Sequence, residues 1–181
     1  MPKRKITSRR GFKTLPVFIG SAAAVVLLVA GSLAWWAYSF VANEVHSELV
    51  AQQIYFPAKG SPALDPKEFP GLQQYAGQLV DNGPKAKAYA NEFIAVHLKK
   101  VANGQTYAQV SSEAQNDPSN VKLQKEVDSL FKGETLRGLL LGDAYAFWTI
   151  GQIAKVAALV LLLAGALVVA WTIGRLVVLA H

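Results

Sequence analysis

The chain has 181 residues, no cysteine, 52% hydrophobic residues and a formal net charge of +6. Without cysteine there can be no disulfide, thiolate metal site, iron–sulfur cluster or thioether-bound haem. All twelve carboxylates lie between Glu44 and Asp143 beside ten basic residues, whereas Lys3, Arg4, Lys5, Arg9, Arg10 and Lys13 crowd the N-terminus. The basic balance therefore belongs to a tail beside an apolar segment, which argues against a nucleic-acid-binding surface.

Residues 15–40 carry no charge and exceed the roughly 20 residues that cross a bilayer core of about 30 Å. Ser8-Arg9-Arg10-Gly11-Phe12-Lys13 matches the first half of a twin-arginine export signal. The apolar run behind it is too long for a removable leader, and Ala37-Tyr38-Ser39 is a poor cleavage site, so a permanent anchor is expected. Val41, Val45 and Leu49 repeat every four residues and extend this helix about three turns, ending before Ile54. Prolines at 57, 62, 66 and 70, with Gly60 and Gly71, predict an irregular strap or binding loop over 57–71.

Gly83-Pro84 opens a second helix expected to reach Ala102 and stop at Asn103-Gly104, with Ala86, Ala90, Phe93, Ile94, His97, Leu98 and Val101 as its buried face. Thr106 and Gln109 have capping-box spacing and start a short helix. Asp117-Pro118 predicts another start, with Asp117 as cap, a buried stripe of Leu123, Val127, Leu130 and Phe131, and an end at Gly133. A further helix runs from Glu134 toward the second apolar stretch, with Gly138 and Gly142 permitting a bend.

The second span is predicted over 147–175, its uncharged core from Val156 to Gly174. Trp35, Trp36, Tyr38 and Phe40 form one interfacial girdle, and Tyr145, Phe147 and Trp148 the matching one, with Trp171 near the other face. Lys155 would then lie about two turns deep, either snorkelling outward with help from Gln152 or answering a partner's carboxylate. The positive tail predicts a cytoplasmic N-terminus.

The expected fold is thus an all-α membrane protein, two transmembrane helices flanking a small helical extracytoplasmic domain. Its divisions are a basic cytoplasmic tail (1–14), helix 1 (15–40), an extracytoplasmic domain (41–146), helix 2 (147–175) and a cytoplasmic C-terminus (176–181).

Several stretches resemble a family of two-span membrane proteins from actinobacteria. They are Ala51-Gln52-Gln53-Ile54-Tyr55-Phe56-Pro57, Tyr75-Ala76-Gly77-Gln78, 85–98, Thr106-Tyr107-Ala108-Gln109-Val110 and 133–141. The resemblance covers most of the chain and implies the two-span architecture but no biochemistry. Some members of that family carry a ring-opening dioxygenase label, which this sequence does not support. Such chemistry needs clustered histidine and carboxylate ligands. His46, His97 and His181 are dispersed, and His97 sits on an apolar helix face as a hydrogen-bonded core residue would. The Ser-x-x-Lys spacings at Ser119 and Ser129 are at the level of chance, and no phosphate-binding glycine motif is present.

No catalytic, cofactor or metal residue is therefore assigned. Small residues at steps of four, Gly20, Ala24, Leu28 and Ser32 in the first span and Ala158, Leu162, Ala166, Ala170 and Gly174 in the second, permit close helix approach, between the spans or with another protein. Gly20, Ala24, Ala166, Ala170, Arg137, Asp143 and Lys155 are the candidate partner contacts. The expected role is a non-catalytic accessory or assembly subunit of a larger plasma-membrane complex, respiratory or cell-envelope, whose partners are membrane lipids and other integral subunits. The alternative is a free-standing membrane-anchored ligand-binding or sensing module.

Overall fold

The computed structural model describes residues 7–180, with side chains from residue 14 onward. The side chains of the basic tail, those of the twin-arginine stretch included, and His181 lie outside what is described. Two helices are long and apolar enough to cross a membrane. Residues up to Phe40 together with those from Gly151 form one compact unit, and Val41–Ile150 forms a second.

The first unit is a pair of helices, the N-terminal part of α1 (Thr7–Ala51) and most of α6 (Phe147–Ala180). Gly20 faces Trp171 and Thr172, Leu28 faces Gly165, and Gly31 faces Leu162. Later positions on α1 meet earlier ones on α6, so the helices run antiparallel. Thr172 is buried, and its hydroxyl donates to the Val168 carbonyl at 2.7 Å, removing the cost of an unpaired hydroxyl in apolar surroundings.

The second unit closes around the last turns of α1. Val41, Val45 and Leu49 are all buried, as their four-residue spacing predicts, and the helix ends at Ala51 with Gln53 in the left-handed region (φ 51°). The segment after it is more ordered than its prolines suggest. Pro62–Leu64 and Pro70–Tyr75 are short 3₁₀ turns, because a proline is well tolerated at a first helical position and Ser61 caps the first turn. Leu64 and Leu72 are fully buried and Phe69 nearly so, which makes this segment a strap packed into the core. Its ends are held by an isolated antiparallel bridge between Tyr55 and Leu79.

α2 (Gly83–Ala88) passes through a π-helical segment, Tyr89–Ile94, into α3 (Ala95–Val101). Asn82 caps it, its side chain accepting from the Lys85 amide. Asn103 and Gly104 take positive φ (50° and 84°) and end it as expected. Val101 is exposed and Ala102 is buried in its place, because the wider π turn rotates the face that follows. Rings of Tyr75, Phe56, Tyr89, Phe93, His97 and Phe69 form a connected set with centroids 4.5–5.6 Å apart, a separation at which aromatic pairs attract. Burial pushes the Tyr89 phenol above its ordinary value.

α4 (Tyr107–Asn116) begins with the expected capping box: the Gln109 amide donates to the Thr106 hydroxyl, and the Thr106 amide donates to Gln109 Oε1 at 2.8 Å. Two other expectations are corrected. The cap of α5 (Val121–Leu139) is Asn120, whose side chain accepts from the Leu123 amide. Asp117 instead binds Ser119 and Asn120 in the turn before it. Phe131, expected in the buried stripe, is exposed beside Tyr107, while Leu130 is buried.

Nor does Gly133 end α5. It stays helical because Leu98 of α3 packs where its Cβ would stand, so the glycine is a point of close helix approach. α5 continues through a second π segment, Leu140–Ala146, into α6 without interruption. Two residues of the expected second girdle also have contacts within the chain. Trp148 is half-buried against Gly83, its Cβ and Cγ 2.5–2.6 Å from where a Cβ would stand, and Tyr145 receives Lys87 Nζ at 3.2 Å. Both belong to the packing of the second unit, which runs to Ile150.

Gly133→Ala should therefore lower stability by about 1–3 kcal/mol through overpacking. Gly138→Ala, which meets nothing within 4 Å, should raise it by about 0.5–1 kcal/mol through helix propensity. Thermal unfolding of the two variants in detergent measures both. Below pH about 10 Tyr89 is neutral whether folded or unfolded. Above it the unfolded chain releases a proton that the folded chain retains, so stability falls as pH rises. Denaturation between pH 8 and 11 should show a smaller loss for Tyr89→Phe than for the unsubstituted chain.

Candidate functional site

Helical pairing in the first unit uses only part of each predicted small-residue row. Gly20, Ala24, Gly31, Ala158, Gly165 and Thr172 are buried, whereas Ser32, Ala166, Ala170 and Gly174 are exposed. A row at strict steps of four advances about 400° per step and so winds off any one side, while a paired seam follows an average step near 3.5. Gly20 and Ala24 are thus intrachain contacts. Ala166 and Ala170 lie on an open face of the same helix. Gly31 and Gly165, absent from the predicted rows, are close approaches as well: a Cβ at Gly31 would meet the Leu162 backbone nitrogen at 3.1 Å, and one at Gly165 would meet Leu28 at 2.8 Å. Testing three-four alternation, in place of a constant step, would have found both.

Lys155 is half-buried and its ammonium stands 5.1 Å from the centre of the Tyr38 ring. It gains a cation–π contact there. Arg175 makes the equivalent contact with Trp171 at 5.6 Å.

Arg137 is spent within the second unit. Its Nε donates to the Ala90 carbonyl at 3.1 Å, Nη2 to Asn91 at 3.3 Å and Nη1 to Glu134 at 2.7 Å. Ala90 lies in the first π segment, and its carbonyl also receives the Ala95 amide. The planar guanidinium thus ties α5 to that turn, a structural role that leaves few donors for a partner. Asp143 shares none of these contacts.

Asp143 instead belongs to a cleft of about 220 Å³ between the end of α1 and the second π segment. Its floor is the buried set Val45, Leu49, Leu140 and Ala144, and its edges are Leu139 and Phe147, 50% and 37% exposed. The rim carries Glu44, Glu48 and Asp143, all exposed. Among the described residues five carboxylates are ion-paired and Asp65, Glu113 and Asp117 accept hydrogen bonds. Of the four left without either, three stand on this rim, and Glu92 is the fourth. The sequence signal was Glu44 and Glu48 at i and i+4 beside the Val45–Leu49 stripe; the opposite wall comes from residues about 95 positions later.

His97 has its Nδ1 2.9 Å from the Phe93 carbonyl, to which it donates, and its ring stacks on Phe69. His46 Nδ1 lies 3.0 Å from the Asp81 carbonyl. Among the described residues no group of three or more histidines and carboxylates could hold a metal ion. No protein family, curated protein or solved structure matches the chain.

Gly31→Leu should destabilise the helix pair by about 1–3 kcal/mol through overpacking. Gly174→Leu, at a position with nothing within 4 Å, should change little. Thermal unfolding in the same detergent compares them.

Proposed function

We propose that the chain is a non-catalytic accessory or assembly subunit of a larger plasma-membrane complex, anchored by its two long helices and presenting the helical unit Val41–Ile150 outside the cytoplasm. The observation that carries this reading is the apolar surface its own packing leaves open. Only 22% and 17% of the most apolar windows of the two helices are buried, and Phe18 and Leu167 are each 72% exposed. A core helix of a water-soluble protein is buried along such a window; lipid or another subunit can cover it here.

Spacing along α6 fits the same medium. Lys155 and Arg175 bracket an uncharged stretch whose ends are about 30 Å apart at 1.5 Å per residue, close to the thickness of a bilayer core. Each cation rests on an aromatic ring, a pairing suited to a headgroup boundary. Exposed Ala166 and Ala170 leave a low-profile face to which a second protein's helix can approach closely. The positive tail and the composition of the middle unit support a cytoplasmic N-terminus with Val41–Ile150 on the opposite side.

Two measurements test the proposal. Reporter fusions should read cytoplasmic after His181 and extracytoplasmic when inserted at 103–105; the reverse result overturns the topology. In a mild-detergent pull-down the chain should comigrate with a defined multisubunit complex, and Ala166→Leu with Ala170→Leu should reduce that comigration several-fold. A monodisperse monomer or homodimer retaining a small ligand would instead identify a free-standing binding module.

A further inference from the structure

The geometry points to the acid-rimmed cleft as the seat of a basic, helical segment of a membrane partner, which inserts one large apolar side chain and sets Lys or Arg residues against Glu44, Glu48 and Asp143. This deepens the assembly reading and rests on it.

Size argues for a side chain rather than a free ligand. The cleft measures about 220 Å³, below the ~300–1,000 Å³ of pockets that enclose drug-sized molecules. Its floor and edges are aliphatic and aromatic, with Leu139 and Phe147 left substantially exposed beside buried Leu49 and Leu140. An apolar anchor in a small pocket, ringed by polar contacts, is the usual anatomy of a protein–protein hot spot.

Charge then selects the occupant. The rim carboxylates have no ion pair within the described residues, whereas Asp81, Glu68, Glu126, Asp128 and Glu134 each have one. Glu44 and Glu48 stand one helical turn apart on α1 and Asp143 stands on the facing wall. A helix with basic residues one turn apart on either side of a leucine or phenylalanine meets both walls. An acidic or purely apolar helix would leave three carboxylates crowded without compensation.

The test uses the full chain in phosphatidylcholine nanodiscs and, as probe, a synthetic amphipathic helix of leucine and lysine with lysines at i and i+4. Its control is the same peptide with glutamate for lysine. The lysine peptide should bind the unsubstituted chain, weaken several-fold as salt rises from 50 to 300 mM, and weaken at least tenfold for Glu44→Gln/Glu48→Gln/Asp143→Asn. Glu92→Gln and Glu113→Gln, away from the cleft, should change binding less than twofold. Leu139→Ser tests the apolar edge and should also weaken binding, with unchanged helicity and elution volume for every variant.

Equal binding by the triple variant, or no binding of the lysine peptide, overturns the inference. A photoreactive residue at Gln52 should in parallel crosslink, in native membranes, to a peptide containing lysine or arginine beside a large apolar residue. Capture of a lipid there instead overturns it. If comigration with a complex persists while the cleft variants are silent, only the cleft assignment fails; if comigration is absent altogether, the assembly reading fails with it.

Discussion

One unit of this chain closes a buried apolar core and the other leaves most of its large apolar side chains open, and that imbalance governs the rest of the structure. In Val41–Ile150 the apolar side chains turn inward around Phe56, Leu64, Leu72 and Val80, each at most 1% exposed. In the helix pair they face outward, and the seam buries small residues instead. Water would penalise the second arrangement at roughly 25 cal/mol for every Å² of apolar surface left exposed, whereas hydrocarbon would not. Inside hydrocarbon the backbone must also satisfy its own hydrogen bonds, which uninterrupted helices do. In that medium the pair would gain from close packing rather than from solvent exclusion, and where α1 and α6 touch, glycines of one helix receive larger side chains of the other.

The second unit depends on two π-helical segments, a conformation found in well under 1% of residues in globular proteins. Each inserts extra width into one turn and re-aims the side chains that follow. The first supplies the Ala90 carbonyl that Arg137 binds. The second lines the cleft and brings Tyr145 to Lys87 and Trp148 to Gly83. A regular α-helix through the same residues would put these side chains on other faces.

Local signals in the sequence carried much of this fold. The Val41–Val45–Leu49 stripe, the capping box at Thr106 and the stop at Asn103-Gly104 all depend on residues within a turn of each other, and all stand as the spacing predicts. The failures share one physical cause, which is that the deciding neighbour is distant in sequence. Gly133 looks like a helix terminator until Leu98 is found against it. Phe131 fits the helical stripe by period but meets no core wall. At Asp117 the competition is local: both Asp117 and Asn120 can cap, and the aspartate is taken by the turn that precedes the helix. The same division holds for the site. Arg137, Asp143 and Lys155 were recognisable as unusual charges, but Arg137 binds one π turn and Asp143 lies in the other, and no hydrophobic period reveals either.

The cleft floor joins Val45 and Leu49 to Leu140 and Ala144, partners separated by about 95 positions. A ribosome adding ~5–20 residues per second delivers the first of these several seconds before the second exists. Until then α1 holds a finished apolar stripe with no wall to close on, and the strap from Tyr55 to Leu79 has only part of its bed. Contacts of such long range form late and slowly. The core of this unit consequently cannot close until its last wall has been made, and during that interval the stripe on α1 stays open to whatever binds apolar surface.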